Sequence, residues 1–153
     1  MSKVKMERNG TTIAVAAAAV TEHLALGWSI QSVSNDLANV DITIGAQASH
    51  TINASIQLQD DDGVALAESM SIHAYLSDTS DGLAVTGTAP DGHVAIGTAG
   101  GCIHLVTDKV FVLNTNAAGL LDVNVVNSIA GTWYLALVFP NGERVVSGVI
   151  TLT

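Results

Sequence analysis

Five histidines, one cysteine and one run of aspartates are the residues of this chain whose types could support metal or nucleophilic chemistry. The histidines are His23, His50, His73, His93 and His104. No two of them have the spacing of zinc ligands, either with each other or with Cys102. We therefore predict that the chain holds no metal centre and no bound cofactor.

The aspartate run Asp60-Asp61-Asp62-Gly63 has two interpretations. A calcium loop spaces its oxygen ligands along the chain and ends on a distal glutamate. Here the three acids are consecutive, so their side chains diverge, and the run favours an acid-rich hairpin turn. A weak cation site is the alternative interpretation.

Cys102 is the single thiol of the chain. A nucleophilic cysteine needs a neighbouring base and a group that orients the base. His104 lies two residues away on the same face of a predicted strand, but no carboxylate is placed to orient it. The chain also lacks the Gly-x-Ser-x-Gly elbow and the phosphate-binding Gly-Lys-Ser/Thr loop. We therefore predict a structural cysteine and a protein that is not an enzyme.

The net charge of −9 is distributed unevenly. Residues 1–33 carry Lys3, Lys5 and Arg8 against two acidic side chains, whereas the remainder carries two basic side chains against twelve acidic ones. Such an acidic body repels nucleic acid, so we expect no nucleic-acid partner. No apolar run reaches the roughly 18 residues of a membrane helix, and the N-terminus lacks the apolar stretch of a secretory signal. We expect no membrane partner, and a protein that is made and kept in a cytoplasm unless another assembly carries it out.

Residues 40–153 alternate between apolar and polar side chains, which predicts β-strands with one buried face. The pattern is clearest over residues 51–59, 70–76, 121–125, 133–139 and 144–152. Trp133 and Phe139 fall at core positions, while Tyr75 falls on an outer face. The region 77–101 is rich in loops, with short edge strands predicted at 83–85 and 93–96, and strands 103–106 and 110–113 follow it. The predicted fold is mostly β, an antiparallel β-sandwich.

Residues 1–33 form a separate small unit in this interpretation, joined to the sandwich by a linker over residues 34–39. The Asn9-Gly10 pair predicts a hairpin, the alanine-rich stretch 16–26 predicts a helix, and Gly27 is placed to cap it. Residues 29–33 could return as a third strand. The unit either packs on its own sandwich or docks on a partner. For docking we expect these contact residues: Lys3, Lys5, Arg8, Val20, Leu24 and Trp28.

Two segments resemble bacterial Ig-like domains of the invasin and intimin class. The first is residues 52–76, where a strand is followed by QDDDGVALAESMSIHAYL. The second is NTNAAGLLDVNVVNSIAGTWYLALVF, which is similar to the turn, the alternating strand and the Ala-Gly-Thr-Trp strand opening of that family. The resemblance implies an Ig-like sandwich over residues 40–153, and the longer, glycine-rich region 77–110 departs from it.

The N-terminal stretch KMERNGTTIAVAAAAVTEHLALGW is similar to short modules of bacteriophage structural proteins. With the Ig-like resemblance, it implies a virion protein of a tailed phage that decorates the head. The expected partner is the major capsid protein or another virion lattice protein. A homo-oligomer is also expected, with a trimer among the symmetric forms. The alternative is a tail-associated or host-surface-binding module that uses loops 77–101.

Overall fold

The computed structural model describes residues 3–34, 39–60 and 63–153. Asp61 and Asp62 of the aspartate run and residues 35–38 of the predicted linker lie outside the described residues. The chain forms two compact units. One comprises Met1–Asn39 with Gln59–Leu66, and the other comprises Val40–Leu58 with Ala67–Thr153. The first unit therefore includes a later segment that the predicted contiguous division, 1–33 and 40–153, does not.

The N-terminal unit contains a three-stranded antiparallel sheet in the order β2-β1-β3. Its elements are β1 (Lys3–Arg8), β2 (Thr11–Ala16), a 3-10 turn (Ala17–Ala19), α1 (Val20–Ala25) and β3 (Ser29–Ser34). The hairpin predicted at Asn9-Gly10 is confirmed, and both residues have the positive φ of such a turn, 51° and 77°. The predicted return strand is confirmed as β3.

The predicted helix over residues 16–26 forms only in its second half. Ala16 pairs with Lys3 in the β1–β2 ladder, and the next three alanines form the 3-10 turn. Strand pairing therefore outweighs the helix propensity of the alanines, which is a weak local preference. Gly27 follows the helix at φ 81°, as predicted for a C-terminal cap.

The second unit is an antiparallel β-sandwich of two packed sheets. One sheet has the order β4-β5-β10-β7, and the other has the order β12-β11-β6-β9-β8 with β13 also paired to β11. The strands are β4 (Asn39–Ile44), β5 (Thr51–Gln59), β6 (Ser71–Ser77), β7 (His93–Ile96), β8 (Gly101–Val106), β9 (Val110–Asn114), β10 (Leu120–Val126), β11 (Gly131–Val138), β12 (Arg144–Val146) and β13 (Ile150–Leu152).

The core of the sandwich follows the alternation read from the sequence. Every second side chain of β5 and β10 is buried, and the neighbours between them are partly exposed. Trp133 and Phe139 are buried, as predicted, at 4% and 3% exposure. The fully enclosed larger side chains of this core are Ile56, Leu58, Ile72, Leu76, Phe111, Leu113, Leu121, Leu135, Leu137, Ile150 and Leu152.

The predicted single strand over residues 144–152 is wrong, because the chain breaks into β12 and β13 at Ser147. Ala136 pairs with Val146, whereas Trp133 pairs with Ile150, so one extra residue is inserted between the two registers. Leu135 N donates to Ser147 Oγ at 2.9 Å, and Ser147 N donates to Leu135 O at 2.9 Å. The insertion changes which alternate residues face the core, so that Ser147 and Ile150 are both buried.

The loop region has one of its two predicted edge strands. Residues 93–96 form β7, which is confirmed, but residues 83–85 form no strand, and Leu83 is 70% exposed. The loop folds over the outer face of the larger sheet, where the Tyr75 hydroxyl donates to Gly82 O. Tyr75 is therefore half-buried on the outer face where the alternation placed it, but covered by its own loop.

Candidate functional site

The six predicted contact residues all belong to the N-terminal unit, where five lie on β1 and α1 and the sixth lies between α1 and β3. Lys3 and Lys5 lie in β1, and their side chains lie outside the described residues. Arg8 ends β1 and is exposed. Val20 and Leu24 lie on α1, and Trp28 directly precedes β3.

The structure brings Arg8 and Trp28 to the C-terminal end of α1. The Arg8 Nε atom lies 3.9 Å from the position a Cβ would take on Gly27. Trp28 N donates to His23 O at 3.1 Å, and the Trp28 ring packs edge-on against His23 with centroids 6.2 Å apart. The half-buried indole is thus held by the helix cap, with a basic side chain beside it.

Helix α1 presents apolar side chains that stay partly or largely exposed in the part of the chain that the structure describes. None of its residues is buried. Val20 and Leu24 share a face because they are four residues apart, and Leu24 is 45% exposed. Leu26, which the sequence interpretation did not include, is 57% exposed one residue after the helix. The sequence signal that could have identified Leu26 is its position just before the capping glycine. We refer to Arg8, Val20, Leu24, Leu26 and Trp28 as the α1 surface.

The charge of the N-terminal unit differs from the basic balance of residues 1–33. The unit also contains Gln59–Leu66, where Asp60 begins a turn with Asp60 N donating to Val64 O at 2.9 Å and Val64 N donating to Asp60 Oδ1 at 3.0 Å. Counted over the whole unit, three basic side chains stand against six acidic ones. The unit is therefore acidic, like the sandwich.

Cys102 has the surroundings of a structural cysteine. It lies in β8, paired with Leu113, and is partly buried. Burial raises the pKa of the Cys102 thiol, and the negative charge of Asp108 raises it further. Because the thiolate is the nucleophile, both effects keep the sulfur in its less reactive protonated form.

The histidines are dispersed over the described residues, where no group of three or more His, Cys, Asp or Glu side chains could hold a metal ion. His104 packs edge-on against Phe111 with ring centroids 5.1 Å apart, and its Nδ1 accepts from Asp108 N at 3.2 Å. His23 Nδ1 contacts Ala19 O at 2.9 Å. These contacts stabilise turns and packing.

Three aspartates organise the loops that follow β6 and precede β7. Hydrogen bonds from the Thr86 hydroxyl and Gly87 N hold the pKa of Asp78 below its ordinary value. Ser128, through its hydroxyl and its N–H, does the same for the pKa of Asp91. The pKa of Asp81 is also lowered, mainly by a hydrogen bond from the Thr79 hydroxyl at 2.6 Å. Asp78 and Asp81 accept bonds from their own loop, whereas Asp91 joins the segment before β7 to Ser128 after β10. These carboxylates therefore stabilise the loops.

A cleft of about 260 Å³ lies beside these loops, lined by Asp78, Asp91, Asn127 and residues 129–133 among others. Trp133 also lines it, with Nε1 donating to Thr88 O at 2.9 Å. The ring is 4% exposed, and a Cβ built on Gly131 would lie 2.2 Å from it. A ring this enclosed has no free face on which a sugar could stack.

No protein-family model and no curated protein sequence matches this chain. Among the described residues, no helix combines the length and apolar character needed to span a membrane.

Proposed function

We propose that this chain is a non-enzymatic structural protein of a tailed-bacteriophage virion, where it decorates or stabilises the capsid. The α1 surface of the N-terminal unit seats on the major capsid protein or another lattice protein. The acidic sandwich projects outward. Three observations support the proposal. Two sandwich segments resemble Ig-like domains, residues 5–28 resemble phage structural modules, and α1 exposes apolar side chains.

The observation that carries the proposal is the exposure of α1. A six-residue helix is too short to be stable through its own hydrogen bonds, so helices of this length depend on packing of an apolar face. Here Leu24 and Leu26 are about half exposed, and no α1 side chain is buried. Clustered exposed apolar side chains are a feature of interaction sites.

The chemistry of the α1 surface favours a protein partner with an apolar groove. Trp28 offers a flat indole held in place by His23, and tryptophan and arginine are enriched among the residues that dominate binding at interfaces. Arg8 at the edge could pair with an acidic group of the lattice. Because the unit is acidic overall, we expect apolar burial to supply most of the affinity.

Sedimentation of the purified chain with assembled heads, and separately with assembled tails, of the source phage tests the proposal. We expect the full chain to pellet with heads and Leu24→Glu to remain in the supernatant. Leu83→Glu is the matched control, because it introduces the same charge at an exposed leucine of the sandwich. Equal pelleting of the two variants would contradict the proposal.

The alternative function, host-surface binding through loops 77–101, has one observation in its favour. Leu83 and Val85 are exposed apolar side chains, at 70% and 46%, on a loop held by hydrogen bonds. The same two variants discriminate the functions. Binding to host cells that is lost in Leu83→Glu and kept in Leu24→Glu would favour the alternative.

A further inference from the structure

Strand β8 ends the larger sheet of the sandwich with an open edge. Among the described strands, it pairs with β9 and with no other. An antiparallel strand with one partner directs alternate N–H and C=O groups away from the sheet, where another strand can pair with them.

The sequence of β8 lacks most of the features by which monomeric proteins protect such edges. Those features are lysine or other charged side chains, proline, a very short strand, a covering element or a β-bulge, and of these β8 has a bulge between His104 and Val106. β8 is six residues long and reads GCIHLV, with no Lys, Arg, Asp, Glu or Pro. Its exposed apolar side chains are Ile103 at 59%, Leu105 at 55% and Val106 at 51%.

The turn after β8 keeps the edge in place. Asp108 Oδ1 accepts from Val94 N of β7 at 2.7 Å, and Lys109 Nζ donates to Gly87 O at 2.5 Å. The nearest charges along the chain are thus already engaged. The edge is neutral and preorganised for strand pairing.

We infer that β8 is a self-association edge, on which the β8 of a second copy of this chain pairs in antiparallel orientation about a two-fold axis. The net charge constrains where a second copy can approach. Each copy has a net charge of −9, so two copies repel across most orientations. Approach through a strand without charged side chains separates the acidic groups, and screening weakens repulsion beyond about 8–10 Å. A two-fold axis also makes the apolar strand complementary to itself.

The sidedness of the sheet defines the register of the pair. Cys102 and His104 lie opposite Leu113 and Phe111, which are buried, whereas Ile103 lies opposite Val112 on the outer face. Directly opposed residues must share a face. Pairing centred on any residue of β8 meets this condition, and Ile103 is the centre of residues 101–105, the part of the strand not cut off by the bulge. This register places Cys102 opposite the His104 of the second copy. The bulge between His104 and Val106 limits pairing beyond Leu105.

The size of the edge defines the strength of the dimer. The three exposed side chains present on the order of 300 Å² of apolar surface, comparable to the largest patch on an ordinary soluble monomer. Two copies would bury about 600 Å² of apolar area plus strand backbone, which is below the roughly 1,200 Å² of a stable specific interface and in the range of weak, transient ones. We therefore expect a weak dimer that forms as the protein is concentrated.

Sedimentation equilibrium of the full chain from micromolar to millimolar concentration tests the inference. We expect a monomer that converts to a dimer, and we expect Ile103→Lys to weaken dimerisation roughly tenfold or more, because two like charges would meet on the axis. Leu83→Lys is the control for added charge at an exposed apolar side chain. A wild-type chain that stays monomeric, or an Ile103→Lys chain that dimerises like wild type, would overturn it.

Cross-linking tests the register without relying on a charged variant. The Cys102→Ser/Ile103→Cys chain places one thiol on the axis, where opposed residues have Cβ atoms about 4.5–5.5 Å apart, close enough for a disulfide after small adjustment. Mild oxidation should give a covalent dimer, while Cys102→Ser/Leu83→Cys should stay monomeric. Equal cross-linking of the two chains would contradict the register. Neither experiment contains a lattice, so the outcome is independent of the proposed capsid role.

Discussion

The sandwich core and helix α1 use the same kinds of apolar side chain under opposite conditions. In the sandwich, Leu121, Val123 and Val125 alternate with polar neighbours and are fully enclosed between two sheets. On α1, Leu24 is four residues from Val20 on one face, and it keeps nearly half of its surface exposed. The comparison separates apolar residues that stabilise the fold from apolar residues available to a partner.

The largest effect that follows from this comparison is expected in the core. Phe111 is fully buried in β9, so Phe111→Ala removes its contacts and leaves a cavity, and we expect the free energy of unfolding to fall by roughly 3–5 kcal/mol. Urea denaturation followed by circular dichroism measures it. A loss below 1 kcal/mol would mean that the core collapses around the missing ring, and the contrast with α1 would fail.

The next largest effect is expected at the insertion between β12 and β13. The Ser147 hydroxyl accepts from Leu135 N and donates to Gly148 O at 2.7 Å. Ser147→Ala leaves the Leu135 N–H without that acceptor in a buried position, so we expect a loss of about 1–3 kcal/mol in urea denaturation. Ser71→Ala serves as the control, since its hydroxyl bond to Asn114 is exposed. If both variants lost similar amounts of unfolding free energy, burial of the Leu135 N–H would not explain the effect of Ser147→Ala.

A smaller effect is expected from acid. The pKa of Asp91 is held below its ordinary value by hydrogen bonds from Ser128. A carboxylate with a lowered folded-state pKa stabilises the fold above its unfolded pKa, and this stabilisation is lost as pH falls through the folded value. We therefore expect melting temperature to fall below about pH 4. Asp91→Asn should flatten this decline, as measured by thermal melts across acidic pH, and an unchanged slope would contradict the assignment.

The smallest effect on stability is expected at the α1 surface. Leu26 is more than half exposed, so Leu26→Glu should change the free energy of unfolding by less than about 0.5 kcal/mol. Its effect should appear instead in sedimentation with phage particles. A loss of stability comparable to that of Phe111→Ala would place Leu26 among the structural residues and remove the distinction between the two regions.

The strands of the sandwich were predictable because period-two alternation reports directly on a half-buried strand. Residues 51–59 and 120–126 kept their faces as predicted. The break at Ser147 was not predictable in the same way, because alternation by itself does not reveal where one residue is inserted. The Ser147 hydroxyl accepts the hydrogen bond that a backbone carbonyl would accept in a regular ladder. This role can be recognised only once its partner, Leu135 N, is known.

The candidate site was predicted less completely than the fold. Val20, Leu24 and Trp28 were chosen from helical spacing and the cap. Val20 and Leu24 do lie on α1, and Trp28 packs against His23 of the same helix. Leu26 was missed because helical periodicity does not extend through the cap. The acidity of the N-terminal unit was missed because Gln59–Leu66 joins it from a distant part of the chain, and such long-range association leaves no local pattern.

Indole placement gives each unit its own optical reporter. The chain has two tryptophans, Trp133 enclosed in the sandwich and Trp28 half-buried beside α1. Indole fluorescence shifts to shorter wavelength in apolar surroundings, so the two rings should emit at different wavelengths in the unmodified protein. Docking of the α1 surface would move the Trp28 emission toward that of Trp133, whereas unfolding of the sandwich would move the Trp133 emission the other way. One spectrum could therefore distinguish assembly from denaturation without any label.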